Sequence, residues 1–487
     1  MQYTEKKELN ADDVIAITGG FSSLQARFLF CTCMFELYCG LQTAAPIYSG
    51  MSPSFRCSLP TVENNTCNSS CPSYIYPNTH GTIVAQFDLA CGLRSWLNSM
   101  FKSSYWVGYL VGVIASGYFS DRYGRKKVIT VWCLGQGIFS FLILFLQNIH
   151  LLIVCRFFIG LFVSGSAVGT QLITLEYMPS NQIAMASQVS QLCFPTGEIL
   201  AVFFGYLFQN DWRMLYVVLA LPTPFFFIGS IFFYPESFRW LLAVGRQIDA
   251  ENIARQLAIR NGYPQVADDL YLINKAKVNS NGSVVYTWKK LFWPSNVLFL
   301  TLSLCLICYG CSTVYFGLTY GVQDLSGNIY INSFLLAVAE FPAFFVYILA
   351  NTIGRNNRDA ISTSSCWRSI NYWNFTNWQN GFNWNFETLI FYQAELFPSA
   401  LRGIGFGICF MFARIAVIIA PVFQNLITIS FCIPYFVYAF PSLLAAIASM
   451  IFLPETKGKN LPDTFEDVFY KNRLSSERVR TSHERLL

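Results

Sequence analysis

Apolar residues gather along this chain in long runs separated by short polar stretches. Ten runs stand out, at about 28–50, 100–120, 128–147, 150–172, 186–208, 214–234, 296–318, 329–350, 403–426 and 430–453. Apolar runs of roughly 18 residues or more read as membrane helices. A buried soluble core accounts for one or two such runs, not ten, so the pattern predicts an all-α membrane protein. Between 361 and 386 the pattern fails. The stretch "NYWNFTNWQNGFNWNF" (371–386) carries six asparagines and three tryptophans where further spans are expected.

Composition and charge sharpen this picture. Only 12% of the 487 residues are charged, against about 25% in soluble proteins. The net charge of +5 is modest and gives no sign of a nucleic-acid partner. Its placement is more informative. "DRYGRKK" follows the second run, and 236–290 holds Arg239, Arg246, Arg255, Arg260, Lys275, Lys277, Lys289 and Lys290, whereas 51–95 holds only Arg56 and Arg94. The positive-inside rule makes the basic segments cytoplasmic and 51–95 external. Both termini then face the cytoplasm, which requires an even number of spans. The polar start, "MQYTEKKELNADDVIAITGG", lacks the order of a signal peptide, so the first helix is expected to direct insertion.

Four of the 16 cysteines, Cys57, Cys67, Cys71 and Cys91, share the segment 51–95. An even set in an oxidising compartment predicts two disulfides, with three pairings open. Two glycosylation sequons, at Asn64 and Asn68, lie in the same segment. No histidine stands at metal-ligand spacing. The other twelve cysteines lie in or near apolar runs and read as small buried side chains.

The two halves repeat their punctuation in the same order. "DRYGRKK" is answered by "NTIGRNNRD", "LEYMPS" by "AELFPS", and "YPESFRWLL" by "LPETKGKNL". Glu176 to Glu395 and Pro235 to Pro454 are both 219 residues apart, but Gly124 to Gly354 is 230. The second copy is therefore 11 residues short between Gly354 and Glu395, the interval that holds the asparagine-rich stretch. A parallel duplication of six spans is a transporter architecture.

These signatures resemble the major facilitator superfamily and, within it, the organic cation, anion and zwitterion (carnitine) transporter family. The resemblance rests on "ITGGFSSLQ", the cysteine-bearing loop, "FDLACGL", "SDRYGRK", "PESFRWLL", "YFGLTYGVQDLSGNIYIN", "AEFPAF", "AELFPS" and "PETKG". It implies a major facilitator fold of two six-helix halves, here with ten clear spans and helices nine and ten degraded or missing. The expected organisation is a cytoplasmic N-terminus (1–27), an N-terminal bundle (28–235), a cytoplasmic central loop (236–293), a C-terminal bundle (294–453, with 361–386 aberrant) and a cytoplasmic tail (454–487). It also implies an ionic gating lattice at the cytoplasmic face, formed by Asp121, Arg122, Gly124, Arg125, Arg156, Glu176, Glu236 and Arg239, with Gly354, Arg355, Glu395, Arg402 and Glu455 as the second copy. The lattice is expected to hold the outward-open state and to break when the halves rock.

Candidate substrate contacts lie within spans. Arg414 is a guanidinium inside an apolar helix, costly unless it faces a cavity or a partner. The family's matching position is often Arg in carriers of anions or zwitterions and Asp in cation carriers. Glu340, Glu198 and Glu36 are acids at membrane depth and equally suit a cation. Tyr315 and Phe316 match the family's aromatic pair, and Tyr38, Gln171, Phe194 and Phe410 are further candidates. Aromatic walls with few charges suit flat organic ions.

No catalytic constellation is visible. The three histidines, His80, His150 and His483, are scattered, and no phosphate-cradling glycine loop occurs. The sequence thus predicts no enzyme activity, no cofactor and no metal. It predicts a plasma-membrane carrier of small organic ions, working by alternating access on a gradient or by exchange with a second ion, with the bilayer as its other partner. The leaning is to an organic anion or carnitine-like zwitterion. The alternatives are an organic cation carrier and a non-transporting degenerate paralogue or misassembled gene product. The last reading draws on 362–386, where reading one base later through A/T-rich codons is compatible with an apolar span.

Overall fold

Helix α1 (Ser23–Ser49) starts where sequence chemistry requires it. Ser22 accepts the N–H of Leu24, and Gln25 reaches back to the Ser22 N–H at 3.2 Å, a capping box. The segment before it carries a short strand, β1 (Glu8–Leu9). In this computed structural model the described residues are 8–9, 15, 20–58, 67, 71, 73–179, 182–261, 263, 271–272, 295–342, 396, 402–424, 426, 430 and 432–452. The asparagine-rich stretch, the sequons at Asn64 and Asn68, and the second-copy residues Gly354, Arg355, Glu395 and Glu455 lie outside them.

After α1 come β2 (Arg56–Cys57), β3 (Tyr74–Ile75) and the short helix α2 (Ile83–Phe87). The following helices are α3 (Ser95–Tyr123), α4 (Arg125–Leu142), α5 (Ile149–Tyr177), α6 (Ile183–Gln191), α7 (Cys193–Leu207), α8 (Trp212–Ala220) and α9 (Thr223–Phe232). Then come α10 (Phe238–Ala243), α11 (Gln247–Arg260), β4 (Tyr271–Leu272), α12 (Ser295–Tyr320), α13 (Ile329–Val338), α14 (Arg402–Gln424) and α15 (Cys432–Phe452). The described parts of all ten apolar runs are mainly helical. Two runs break where prolines remove backbone donors: α6 from α7 near Pro195, and α8 from α9 near Pro222.

Among the described residues, six helices are long and apolar enough to cross a membrane, by length and composition. Their flanks expose large apolar side chains, including Phe30, Val131, Ile138, Phe225 and Phe232. Such a surface suits lipid rather than water.

The chain divides into two compact units. The first is Met1–Ser283 with Gln323–Val338; the second is Val284–Val322 with Ala339–Leu487. Within the first, α3 packs on α5, α1 on α7, α4 on α5 and α9, and α13 on α7. Glycines set two of these crossings. A Cβ at Gly108 would lie 1.9 Å from the Phe157 carbonyl oxygen, and one at Gly160 1.9 Å from that of Tyr105. Gly40 and Gly197 do the same for α1 and α7, against Phe194 and Leu37. These reciprocal backbone contacts are the small-residue packing that membrane helices use in place of hydrophobic drive. In the second unit α12 packs on α14 and α15, through Leu300, Leu304, Cys305, Cys409, Ala413 and Ala445.

The loop between α1 and α3 is tied by disulfides Cys57–Cys71 and Cys67–Cys91, one of the three pairings open at the sequence level. Strands β2 and β3 pair antiparallel across the first bridge. The loop docks on the turn before α8: the Trp212 N–H donates to the His80 carbonyl at 3.2 Å, and Asn78 donates to the Asn210 carbonyl at 2.9 Å.

Candidate functional site: charged end and membrane-depth residues

Helix α4 begins immediately after Gly124, whose φ of 102° is open to glycine and strained for other residues. Gly124 has no side chain with which to cap α4. Glu236, just after α9, does so instead. Its Oε1 accepts the N–H groups of Arg125 at 2.7 Å, Lys126 at 3.2 Å and Ser237 at 3.1 Å. A carboxylate at a helix N-terminus satisfies orphan donors and meets the positive end of the dipole. A Cβ at Gly124 would stand 2.5 Å from the same carboxylate, so the glycine also clears its path.

Arg125 extends the cluster. It donates to Asp121 at 2.6 Å, Glu176 at 3.2 Å and Ser120 at 3.0 Å. Asp121 is 73% exposed and its ion pair adds little; Glu176 is only 18% exposed and its pair is better shielded. Arg239 donates to the Glu176 carbonyl at 2.8 Å, Trp240 Nε1 to the Asp121 carbonyl at 2.8 Å, and the Tyr177 hydroxyl to the Glu236 carbonyl at 2.8 Å. Arg122 is exposed and donates to the Tyr118 hydroxyl. Asp121, Gly124, Arg125, Glu176, Glu236 and Arg239 thus come together, and each of these bonds closes within the first unit. Arg402 is the first residue of α14; its side chain is not among those described.

Arg156 does not belong to that group, and the expectation placing it there is corrected. It precedes Glu176 by 20 residues along α5, about 30 Å at 1.5 Å per residue. It is fully buried. Its guanidinium donates to Gln42 Oε1 at 2.5 Å and to the Gln42 carbonyl at 2.7 Å. The rings of Tyr105, Tyr216 and Phe101 surround it at 4.7, 5.6 and 5.7 Å.

The α1–α7 crossing brings the first unit's other candidates near one level. Leu37 and Gly40 meet Gly197 and Phe194 there, which puts Glu36 and Tyr38 of α1 near the level of Phe194 and Glu198 of α7. Glu198 is buried; Glu36 and Phe194 are half-buried. Tyr38 is buried, edge-on to Phe226 at 5.3 Å, and its hydroxyl accepts from Gln42 Nε2 at 2.6 Å. Gln171 is half-buried on α5, level with Thr32, because Thr32 meets Thr170 and Thr174. It therefore sits nearer the charged end than Tyr38 does.

In the second unit the Tyr315 hydroxyl donates to Glu340 Oε1 at 2.6 Å, and Glu340 is buried. Phe316 stands edge-on to Tyr315 at 4.8 Å. On α14, Phe406 and Phe410 stack at 6.2 Å, and Arg414 follows four residues later on the same stripe, half-buried. Gln42 escaped the sequence reading. Its signal was Pro46: a proline inside a helix leaves the carbonyl four residues earlier without its N–H partner.

Comparison with known proteins places this architecture. Residues 60–357, more than half of the chain, match the sugar (and other) transporter family. Organic anion transporter 3 of Oryctolagus cuniculus is 28% identical over 84% of this chain and 78% of its own length. The organic cation transporter protein of Drosophila melanogaster is 26% identical over 94% of each chain, and the solute carrier family 22 member 15-like protein of Xenopus tropicalis is 26% identical over 94% of this chain and 96% of its own. The inward-open xylose transporter XylE from E. coli shares the fold, with a TM-score of 0.63 over 91% of this chain and 99% of that one at 16% identity. The chain belongs to the sugar (and other) transporter family and is a multi-pass membrane transporter of the major facilitator fold, not an enzyme.

Proposed function

We propose that the protein moves small organic ions across the plasma membrane by alternating access, as a secondary carrier, with a preference for organic anions or carboxylate-bearing zwitterions. One observation carries the preference: Arg414 sits half-buried in the apolar helix α14, on one stripe with Phe406 and Phe410. A guanidinium at that depth pairs bidentately with a carboxylate, and adjacent aromatic faces hold a flat organic body. The relative named an organic anion transporter supports the same class. Movement against a gradient draws on a co-transported or exchanged ion. The loop with two disulfides faces outside, and the charged end and both termini face the cytoplasm.

A second reading, organic cation transport, is favoured by the Tyr315–Glu340 pair and by the buried Glu198. A relative named an organic cation transporter protein is of that class. Competition in proteoliposomes separates the two. Radiolabelled phenylacetate uptake that is blocked by unlabelled carboxylates but not by tetrapropylammonium supports the anion reading; the reverse supports the cation reading. A non-transporting reading draws on the polar stretch 371–386. It predicts no uptake of either tracer by correctly inserted protein.

A further inference from the structure

We propose that Arg156 is a positioning residue: it replaces the backbone hydrogen bond that Pro46 removes from α1, and through Gln42 it fixes the hydroxyl of Tyr38. In an unbroken helix the Gln42 carbonyl accepts from the N–H of residue 46. Residue 46 is proline, inside α1, and has no N–H. A buried carbonyl left unmet carries the full cost of its desolvation. Here one arm of the Arg156 guanidinium donates to that carbonyl at 2.7 Å.

The other arm sets the side chain. It donates to Gln42 Oε1 at 2.5 Å, which turns the Gln42 Nε2 toward Tyr38, 2.6 Å away. The Tyr38 hydroxyl also meets Ser140 at 3.4 Å. One planar fork therefore repairs the helix and orients the amide that orients the tyrosine. The rings of Phe101, Tyr105 and Tyr216 hold the guanidinium in place, so the arrangement spans α1, α3, α5 and α8. Lysine preserves the charge but not the two-armed geometry.

The positioning role rests on the reading of Tyr38 as a substrate contact; the repair of α1 does not. The test therefore has two arms on the full-length protein. In detergent, thermal unfolding is followed for Arg156→Met, Pro46→Ala and the double variant. Restoring the N–H at position 46 is expected to recover part of the midpoint lost in Arg156→Met, so the two changes are non-additive. Additive losses overturn the repair.

In proteoliposomes, KM and maximal rate for radiolabelled phenylacetate are compared for wild type, Tyr38→Phe, Gln42→Leu and Arg156→Lys. Each variant is expected to raise KM about three- to tenfold, the equivalent of one hydrogen bond, and Tyr38→Phe with Arg156→Lys is expected to raise it no further than either alone. If Tyr38→Phe raises KM while Gln42→Leu and Arg156→Lys leave it unchanged, the positioning role is wrong. If Tyr38→Phe itself leaves KM unchanged, the substrate reading of Tyr38 fails and the positioning role falls with it, while non-additive unfolding still upholds the repair.

Discussion

Truncating Glu236 tests the charged end where its geometry is most specific. Glu236→Ala strips one acceptor from three backbone N–H groups, those of Arg125, Lys126 and Ser237. The shortest of these bonds, at 2.7 Å, is charge-assisted and worth about 1.5–3 kcal/mol. Loss of a helix N-cap costs roughly 0.5–2 kcal/mol. The two overlap, so the expected loss is about 2–4 kcal/mol. The first unit spans Met1–Ser283 and Gln323–Val338, and at about 2.1 cal/mol/K of unfolding entropy per residue that loss lowers its thermal midpoint by roughly 3–6 °C. Glu236→Gln keeps an oxygen acceptor and loses only the charge, which should cost about 1 kcal/mol. The assay is unfolding in detergent with a thiol-reactive dye, because the free cysteines Cys33, Cys133 and Cys155 are buried. The reasoning fails if Glu236→Ala is as stable as wild type, or if Gln and Ala are equally damaging. The second outcome would assign the effect to charge rather than to the cap.

Further outcomes follow from the same geometry. Gly124→Ala combines a φ of 102° with a Cβ 2.5 Å from the Glu236 carboxylate, so the midpoint should fall by an amount equivalent to about 1–3 kcal/mol. Gly108→Leu and Gly160→Leu should each force α3 and α5 apart by on the order of 1 Å and abolish monodisperse elution. Gly117→Ala on the same helix, with nothing within 4 Å of its Cβ, should be tolerated. Non-reducing peptide mapping should link Cys57 to Cys71 and Cys67 to Cys91; a Cys57–Cys67 peptide would contradict the fold of the loop.

Much of the architecture could be read from hydropathy, and the departures have physical causes. The run at 100–120 grew into α3 (Ser95–Tyr123), because helical hydrogen bonding continues through polar residues such as Ser99 and Asp121. Hydropathy does not register missing donors, so the runs at 186–208 and 214–234 read as unbroken although Pro195 and Pro222 divide them. The charged motifs located Glu176, Glu236 and Arg125, but motif order carries no direction across the membrane. Motif order groups Arg156 with them, although it stands near the start of α5 and Glu176 near its end. The pairing of four cysteines needed three-dimensional proximity. The trans cap from Glu236 and the Arg156–Gln42–Tyr38 chain join residues more than 100 positions apart, which no local pattern encodes.

The central claim is organic ion transport with a preference for carboxylates set by Arg414. Its most direct measurement is uptake of radiolabelled phenylacetate and benzoate into proteoliposomes by wild type and Arg414→Ala, at matched amounts of correctly folded protein. The account predicts saturable wild-type uptake that Arg414→Ala abolishes, while thermal stability stays near wild type. Undiminished carboxylate uptake by Arg414→Ala would contradict it.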